Sequence, residues 1–360
     1  MAAPQLRDRT REDSLKTQPS DASTHLDSSD LKSAKLTSHN YSYGRSCTIQ
    51  GIETTLLTNE EEWKVRGWFP RDLEGHKLVV FPDACPGKAP LPTGTALLTS
   101  SPSWRSLAIS DCGCGMQLLK SELTVEEFTA QRGRWDDVGQ RLKKNRGKLG
   151  DLGGGNHFLD ALQCYSSDRV YFLIHTGSRL EEGLVEHLIK QPKEFDTEFS
   201  RIVGWARGNR DTIADGIKAI FGRTVESIWD QPHNTVEKLG NETVLIRKGV
   251  VAVKPGETVV IPSSMTGDVS MVTATAAVSS VLDSVSHGTG RVLSRSDAKN
   301  LHLDTDELRR KIYIPDYIND SSLRTESPQC YRDLDDCLKL LNGIVEETLR
   351  FKVIAYLGHL

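Results

Sequence analysis

Val170-Tyr171-Phe172-Leu173-Ile174-His175-Thr176-Gly177-Ser178 decides how the rest of the chain is read. A short apolar run rich in β-branched and aromatic residues, closed by glycine, predicts a buried strand that ends in a loop. His175 then stands at the C-terminal end of that strand, where α/β proteins gather functional side chains.

Two further runs share this form: Leu78-Val79-Val80-Phe81, and Thr258-Val259-Val260-Ile261-Pro262. Between such strands lie segments with helical spacing, from Val125-Glu126-Glu127-Phe128 onward, from Leu184 to Trp205, and from Asp333 to Arg350. The mixture predicts an α+β or α/β fold. Residues 1–45 are rich in Ser, Thr, Asp and Lys and carry no hydrophobic period, so a disordered tail is expected there. Residues 46–360 show no repeat and no linker, and are read as one catalytic domain.

The chain has 360 residues, with 45 Lys+Arg against 49 Asp+Glu, a formal charge of -4. That balance excludes a globally basic nucleic-acid coat and a polybasic membrane anchor. No apolar run approaches the roughly 18–20 residues that span a bilayer, and residues 1–18 lack a secretory apolar core. A cytoplasmic protein with no membrane partner is expected. The 7 cysteines are an odd number scattered through a long chain, which argues for reduced thiols rather than a disulfide framework.

Five constellations carry chemistry. Asp111-Cys112-Gly113-Cys114-Gly115 places an acid and a thiol three residues apart across a flexible glycine, a spacing that can turn both onto one metal or let the thiolate bridge two. Cys112 reads as a small buried hydrophobe. Gly153-Gly154-Gly155-Asn156-His157 joins an entropically costly glycine turn to an amide and an imidazole, without the Lys-Ser/Thr of a Walker loop. His175-Thr176-Gly177-Ser178-Arg179 and Asp230-Gln231-Pro232-His233-Asn234 add two histidines in loop settings. Imidazole, thiolate and carboxylate together form a workable ligand set for Mn²⁺ or Zn²⁺. Ser286-His287-Gly288-Thr289-Gly290-Arg291 suits attack on phosphorus, with the imidazole as nucleophile and the guanidinium as phosphate clamp. The basic window 132–148 holds seven Lys/Arg around Trp135 and reads first as a solvated helix face, second as a track for an RNA backbone.

These motifs in this order, with Pro82-Asp83, Gly87-Lys88, Arg247-Lys248-Gly249, the stretch from Pro255 to Met265 and the stretch from Glu326 to Asp335, closely resemble the RtcB family of GTP-dependent RNA ligases. The resemblance implies a single α+β domain with a central dinuclear metal pocket. It implies two Mn²⁺ per chain, with Asp111 and His157 on one, His175 and His233 on the other, and Cys114 bridging. His287 would be guanylylated and Asp83 would orient it. Asn156, Asn234, Ser264, Arg291 and the Gly288-Thr289-Gly290 turn would surround the phosphates of GTP, with Asp160 near the GMP. The substrates implied are RNA ends, a 3′-phosphate or 2′,3′-cyclic phosphate and a 5′-hydroxyl, in tRNA splicing or RNA repair. The protein would act as a monomer, with an archease-like activator as a partner. The sequence departs from the family where Asp160 replaces a glutamate, Cys85 a histidine and Leu180 a glycine, and where it ends in Gly358-His359-Leu360 instead of Lys-Gly. A Mn-dependent RNA-end phosphodiesterase or phosphatase, and a non-catalytic RNA-binding protein on the same scaffold, are the competing readings.

Overall fold

The computed structural model describes residues 43–87, 90–178, 183–222, 224–240 and 242–358. Most of the expected tail, with Lys88, Arg179, Leu180 and the last two residues, lies outside them. The fold is α+β, built on three sheets. The largest runs in spatial order Thr258–Pro262, Asp268–Ala274, Val345–Gly358, Phe158–Cys164, Arg169–Thr176, Gly115–Thr124, Glu226–Pro232. Every neighbouring pair in it is antiparallel. The second sheet runs Arg45–Ile49, Ile52–Leu56, Lys77–Cys85, Thr93–Thr99, Val244–Lys248, Asn234–Lys238. Val250–Ala252 and Ser284–Ser286 form a short ribbon.

The strand Arg169–Thr176 is buried on both faces, which accounts for its unbroken apolar run. On one side the helices Arg132–Lys144 and Pro192–Phe221 cover the large sheet. Trp135 stacks on Phe172 with centroids 6.1 Å apart, Phe128 stacks on Phe221 at 5.8 Å, and Phe172 meets Phe221 at 5.1 Å. The helix Val125–Ala130 starts on a reciprocal cap, with Thr124 Oγ1 accepting from Glu127 N and Glu127 accepting from Thr124 N. A second core on the smaller sheet packs Ile49, Leu78, Val80 and Leu97 with Phe195 and Ile202.

Two helical expectations are corrected. The segment from Leu184 to Trp205 is interrupted: a short turn of helix, Gly183–Glu186, stops, and the long helix begins at Pro192 and runs past Trp205 to Phe221. Proline at the first position lacks only an N–H that a helix start leaves unbonded, so it marks a beginning. The segment from Asp333 to Arg350 is helical only over Leu334–Leu340. Beyond the left-handed Gly343 (φ +80°) the chain becomes the strand Val345–Gly358, whose side chains alternate across the sheet.

Trp135 is fully buried at the centre of the aromatic cluster. Trp135→Ala should remove about 3–5 kcal/mol of stability, as large-to-small core changes do, measured from the midpoint of urea unfolding. A loss under about 1 kcal/mol would contradict the packing.

Candidate active site

Register in the large sheet assembles the site. Four adjacent antiparallel strands bring one end of each together: the start of Phe158–Cys164, the end of Arg169–Thr176, the start of Gly115–Thr124 and the end of Glu226–Pro232. Phe158 pairs with His175, Gly115 with Thr176, and Gly115 also with Pro232. His157, His175, Cys114 and His233 therefore meet at one edge. Because the sheet is antiparallel, the ligands come from strand starts as well as ends, unlike the carboxyl-end gathering of a parallel α/β sheet.

Each candidate ligand is at or beside a bend. Asp111 holds a left-handed φ of +53° and Gly113 one of +73°, so the Asp111-Cys114 loop turns sharply and closes with Cys114 N donating to Asp111 O at 2.9 Å. Asp111 is strained for a non-glycine residue, as functional sites often are. Gly177 cannot carry a side chain, since its Cβ would overlap Asp111 Oδ1. His233 sits where the chain leaves the large sheet for the smaller one, between Glu226–Pro232 and Asn234–Lys238.

Cys114 Sγ lies 3.4 Å from His157 Nε2 and 3.4 Å from His175 Nε2. His157 Nε2 is 3.0 Å from Asp111 Oδ2, and His175 Nε2 is 3.3 Å from His233 Nε2. All five groups are buried. Burial pushes the His233 pKa far down, with the neighbouring His287 and His175 adding to the shift. A neutral His233 presents a lone pair, as a metal ligand must. Lone pairs on a carboxylate, a thiol and three imidazoles converge here in a space where a cation offsets their repulsion. The donor set therefore fits divalent metal, and its geometry divides into an Asp111-His157 half and a His175-His233 half with Cys114 between them.

His287 enters from the Ser284–Ser286 ribbon. Its Nδ1 is 2.7 Å from Gly249 O and 2.8 Å from Asp83 Oδ2. A carbonyl oxygen can only accept, so Nδ1 carries the proton and Nε2 the lone pair. The ring lies against two histidines of that cluster, its centroid 4.3 Å from that of His233 and 6.0 Å from that of His175. Asp83 is fully buried, and burial pushes its carboxyl up against the opposing pull of the His287 hydrogen bond. Gly290 (φ +73°) lets the turn after His287 press on the Asp83 backbone, where a Cβ would overlap the carbonyl oxygen.

The remaining expected residues fall into two groups. Asn234 spends its amide on the loop, donating to Ser110 O at 3.2 Å and Asp111 O at 3.0 Å and accepting from Gly249 N at 2.8 Å. Arg291 donates to Leu293 O, Glu326 Oε2, Tyr331 Oη and Thr325 O. Its guanidinium is thus engaged within the chain, where a phosphate clamp was expected from sequence. The backbone of Thr289 donates to Pro262 O at 3.2 Å, which ties the Gly288–Gly290 turn to the strand ahead of Ser264. Ser264 O closes the next tight turn by accepting from Gly267 N, and both Ser264 and Asn156 stay half-exposed. Asp160 is buried on the strand that follows His157, paired across the sheet with Leu173 and Tyr356, and its Oδ1 has no hydrogen-bond partner.

Sequence reading missed two residues that hold the site from the long helix. Asn209 accepts from Gly150 N at 2.7 Å and donates to Asp151 O at 2.8 Å and Thr176 Oγ1 at 3.3 Å, joining the glycine turn to the His175 strand end. Arg210 donates to Asp230 Oδ1 at 2.6 Å and Gly113 O at 3.1 Å, joining the Cys114 loop to the strand that leads to His233. Both are about 1% exposed. A signal existed: they interrupt an apolar helix face that includes Ile202, Ala206, Ile213 and Ile217.

Burial alone raises the Asp160 carboxyl well above the usual carboxylate range. Between about pH 4, where an unfolded Asp ionises, and the higher folded value, the unfolded chain binds fewer protons than the folded one. Stability then falls as pH rises through that window. Asp160→Asn should flatten the fall, leaving the variant more stable than the wild type at pH 8 by urea midpoint. Parallel stability curves for the two would contradict a neutral buried Asp160.

Comparison with known proteins bears on this site. The family described as tRNA-splicing ligase RtcB matches residues 190–358, a stretch that includes His233 and His287 and begins after the other four metal-site residues. The RNA-splicing ligase RtcB of Escherichia coli K12 is 25% identical over 357 aligned positions, covering 75% of this chain and 86% of that protein. An RNA-splicing ligase RtcB1 from another Escherichia coli strain is 28% identical over 239, covering 55% and 58%. The tRNA-splicing ligase RtcB of Nanoarchaeum equitans is 26% identical over 295, covering 61% and 62%. The chain thus spans about three fifths of the length of two of these relatives. Among the described residues, no helix is long and apolar enough to cross a membrane. Residues 190–358 thus carry the RtcB domain, and the chain as a whole is similar to this set of RtcB ligases.

Proposed function

We propose that the chain is an RNA ligase that joins a 3′-phosphate or 2′,3′-cyclic phosphate end to a 5′-hydroxyl through a guanylylated His287, consuming GTP. The observation that carries this reading is the tautomer of His287. Gly249 O and Asp83 hold the proton on Nδ1, so Nε2 presents its lone pair beside a buried carboxylate, thiol and imidazole cluster.

Asp111, Cys114, His157, His175 and His233 would hold two divalent cations, Mn²⁺ by family resemblance, which when bound supply neutralisation of phosphate charge and acidification of a hydroxyl. His287 Nε2 forms a bond to the α-phosphorus of GTP as the bond to pyrophosphate breaks. Asp83 accepts from Nδ1–H throughout and stabilises the positive charge that the substituted ring develops, much as a carboxylate steadies a catalytic imidazole elsewhere. An oxygen of the RNA 3′-phosphate then attacks the same phosphorus, the P–N bond breaks, and His287 regains its lone pair. The product, RNA(3′)pp(5′)G, is attacked by the 5′-hydroxyl and GMP leaves. Backbone amides and half-exposed polar groups such as Asn156 and Ser264 are the available donors for phosphate oxygens. Burial favours the neutral form of the Asp160 carboxyl, which can donate a hydrogen bond as well as accept one and so suits a base or ribose contact.

The basic window supports the RNA substrate. It forms the helix Arg132–Lys144 and the turn that leads toward His157, with Arg132, Arg134, Arg141, Lys144, Arg146 and Lys148 exposed. Its charge is 7 minus the two acids Asp136 and Asp137, or +5, so the rest of a chain of net -4 carries -9. Positive charge is therefore concentrated beside the glycine turn, a distribution suited to a phosphodiester backbone.

Incubation with α-labelled GTP and Mn²⁺ should place an acid-labile, base-stable label on the wild-type chain and none on His287→Ala. Equal labelling of the two, or an unlabelled wild type that releases phosphate from 3′-phosphate RNA without joining, would contradict the ligase reading and favour a phosphatase.

A further inference from the structure

His287 stands close enough to the metal-binding residues to serve in a second capacity. His175, His233 and His287 each offer one ring nitrogen, all within 4.8 Å of one another. Nδ1 of His287 is committed to Gly249 O and Asp83, which leaves Nε2 as the nitrogen for coordination. Imidazole nitrogens bind divalent metals at about 2.0–2.2 Å, which separates two ligands of one ion by roughly 3–4.4 Å. His175 Nε2 and His233 Nε2, at 3.3 Å, already meet that spacing, and Cys114 Sγ lies 3.4 Å from His175 Nε2.

We propose that in the nucleotide-free protein His287 Nε2 is a ligand of the metal held by His175 and His233, with Cys114 in the remaining position. The inference rests on the two-metal reading above. The lone pair that would attack GTP is then already shared with a cation, so the nucleophile is masked until nucleotide arrives. A phosphate oxygen of GTP takes the place of His287 in the coordination sphere: one metal–nitrogen bond breaks, one metal–oxygen bond forms, and no proton or electron changes hands. The Nδ1 proton stays with Gly249 O and Asp83 during the exchange, so the ring is released facing the phosphorus it will attack. The same masking keeps Nε2 from other electrophiles between turnovers.

The test is a Mn²⁺ titration of the whole nucleotide-free chain by calorimetry, comparing the wild type with His287→Asn and His287→Ala. Asparagine reproduces the Nδ1 donor to Gly249 O and Asp83 but has no counterpart to Nε2, so it separates ligation from the structural role of the ring. Both variants should bind one Mn²⁺ as the wild type does and the other about tenfold or more weakly, a scale on which even outer partners of metal-bound histidines act. An asparagine variant that retains both wild-type affinities would overturn the proposal and leave the ligase reading standing. A wild type that binds fewer than two Mn²⁺ would overturn the two-metal reading and this proposal with it.

Discussion

The structure depends on the register of four adjacent antiparallel strands. Pairing Phe158 with His175, and Gly115 with both Thr176 and Pro232, brings His157, His175, Cys114 and His233 to one edge of the large sheet. A slip of one residue on any of these strands would turn its ligand to the opposite face, because side chains alternate with period two. The continuous burial of Arg169–Thr176, with helices over the aromatic cluster, holds that register. The site is therefore a consequence of the core, and its geometry is as firm as the packing behind it.

Bringing so many polar groups together below the surface has a cost, and the surroundings offset it. The long helix supplies Asn209 and Arg210, whose hydrogen bonds satisfy loop carbonyls and amides that burial would otherwise leave unbonded. Asn234 and Lys248 do the same for the Asp111 loop, Lys248 Nζ donating to Ser110 O at 2.6 Å. On the opposite side, Gly249 and Asp83 fix the tautomer of His287. The smaller sheet contributes Asp83, the ribbon contributes His287 and the large sheet contributes the Cys114 and histidine cluster, so the candidate site sits where three sheets meet. Arg291, whose placement in the sequence suggested a phosphate contact, instead ties the His287 turn to Thr325, Glu326 and Tyr331.

Much of this was legible in the sequence, for identifiable reasons. Short apolar runs closed by glycine or proline marked strands, and the side chains with metal chemistry stood at their ends. Asp111 to Cys114, His157, His175 and His233 could be nominated because thiolate, carboxylate and imidazole in loop settings are unusual together. What could not be read was pairing order, which depends on contacts far apart in sequence. The start of the strand Val345–Gly358 was hidden inside a segment with helical spacing, because a short run satisfies both periods until the left-handed Gly343 breaks it. Asn209 and Arg210 were hidden by a different effect: polar residues in a long helix read as solvent-facing unless the apolar face they interrupt is drawn out.

On the proposed reading, sheet register would build two metal positions that share Cys114 and face His287. Anomalous diffraction from crystals grown with Mn²⁺ tests it most directly. The account predicts two peaks, one bonded to Asp111, His157 and Cys114 and the other to His175, His233 and Cys114. A single peak, or peaks that leave Cys114 outside both coordination spheres, would contradict it.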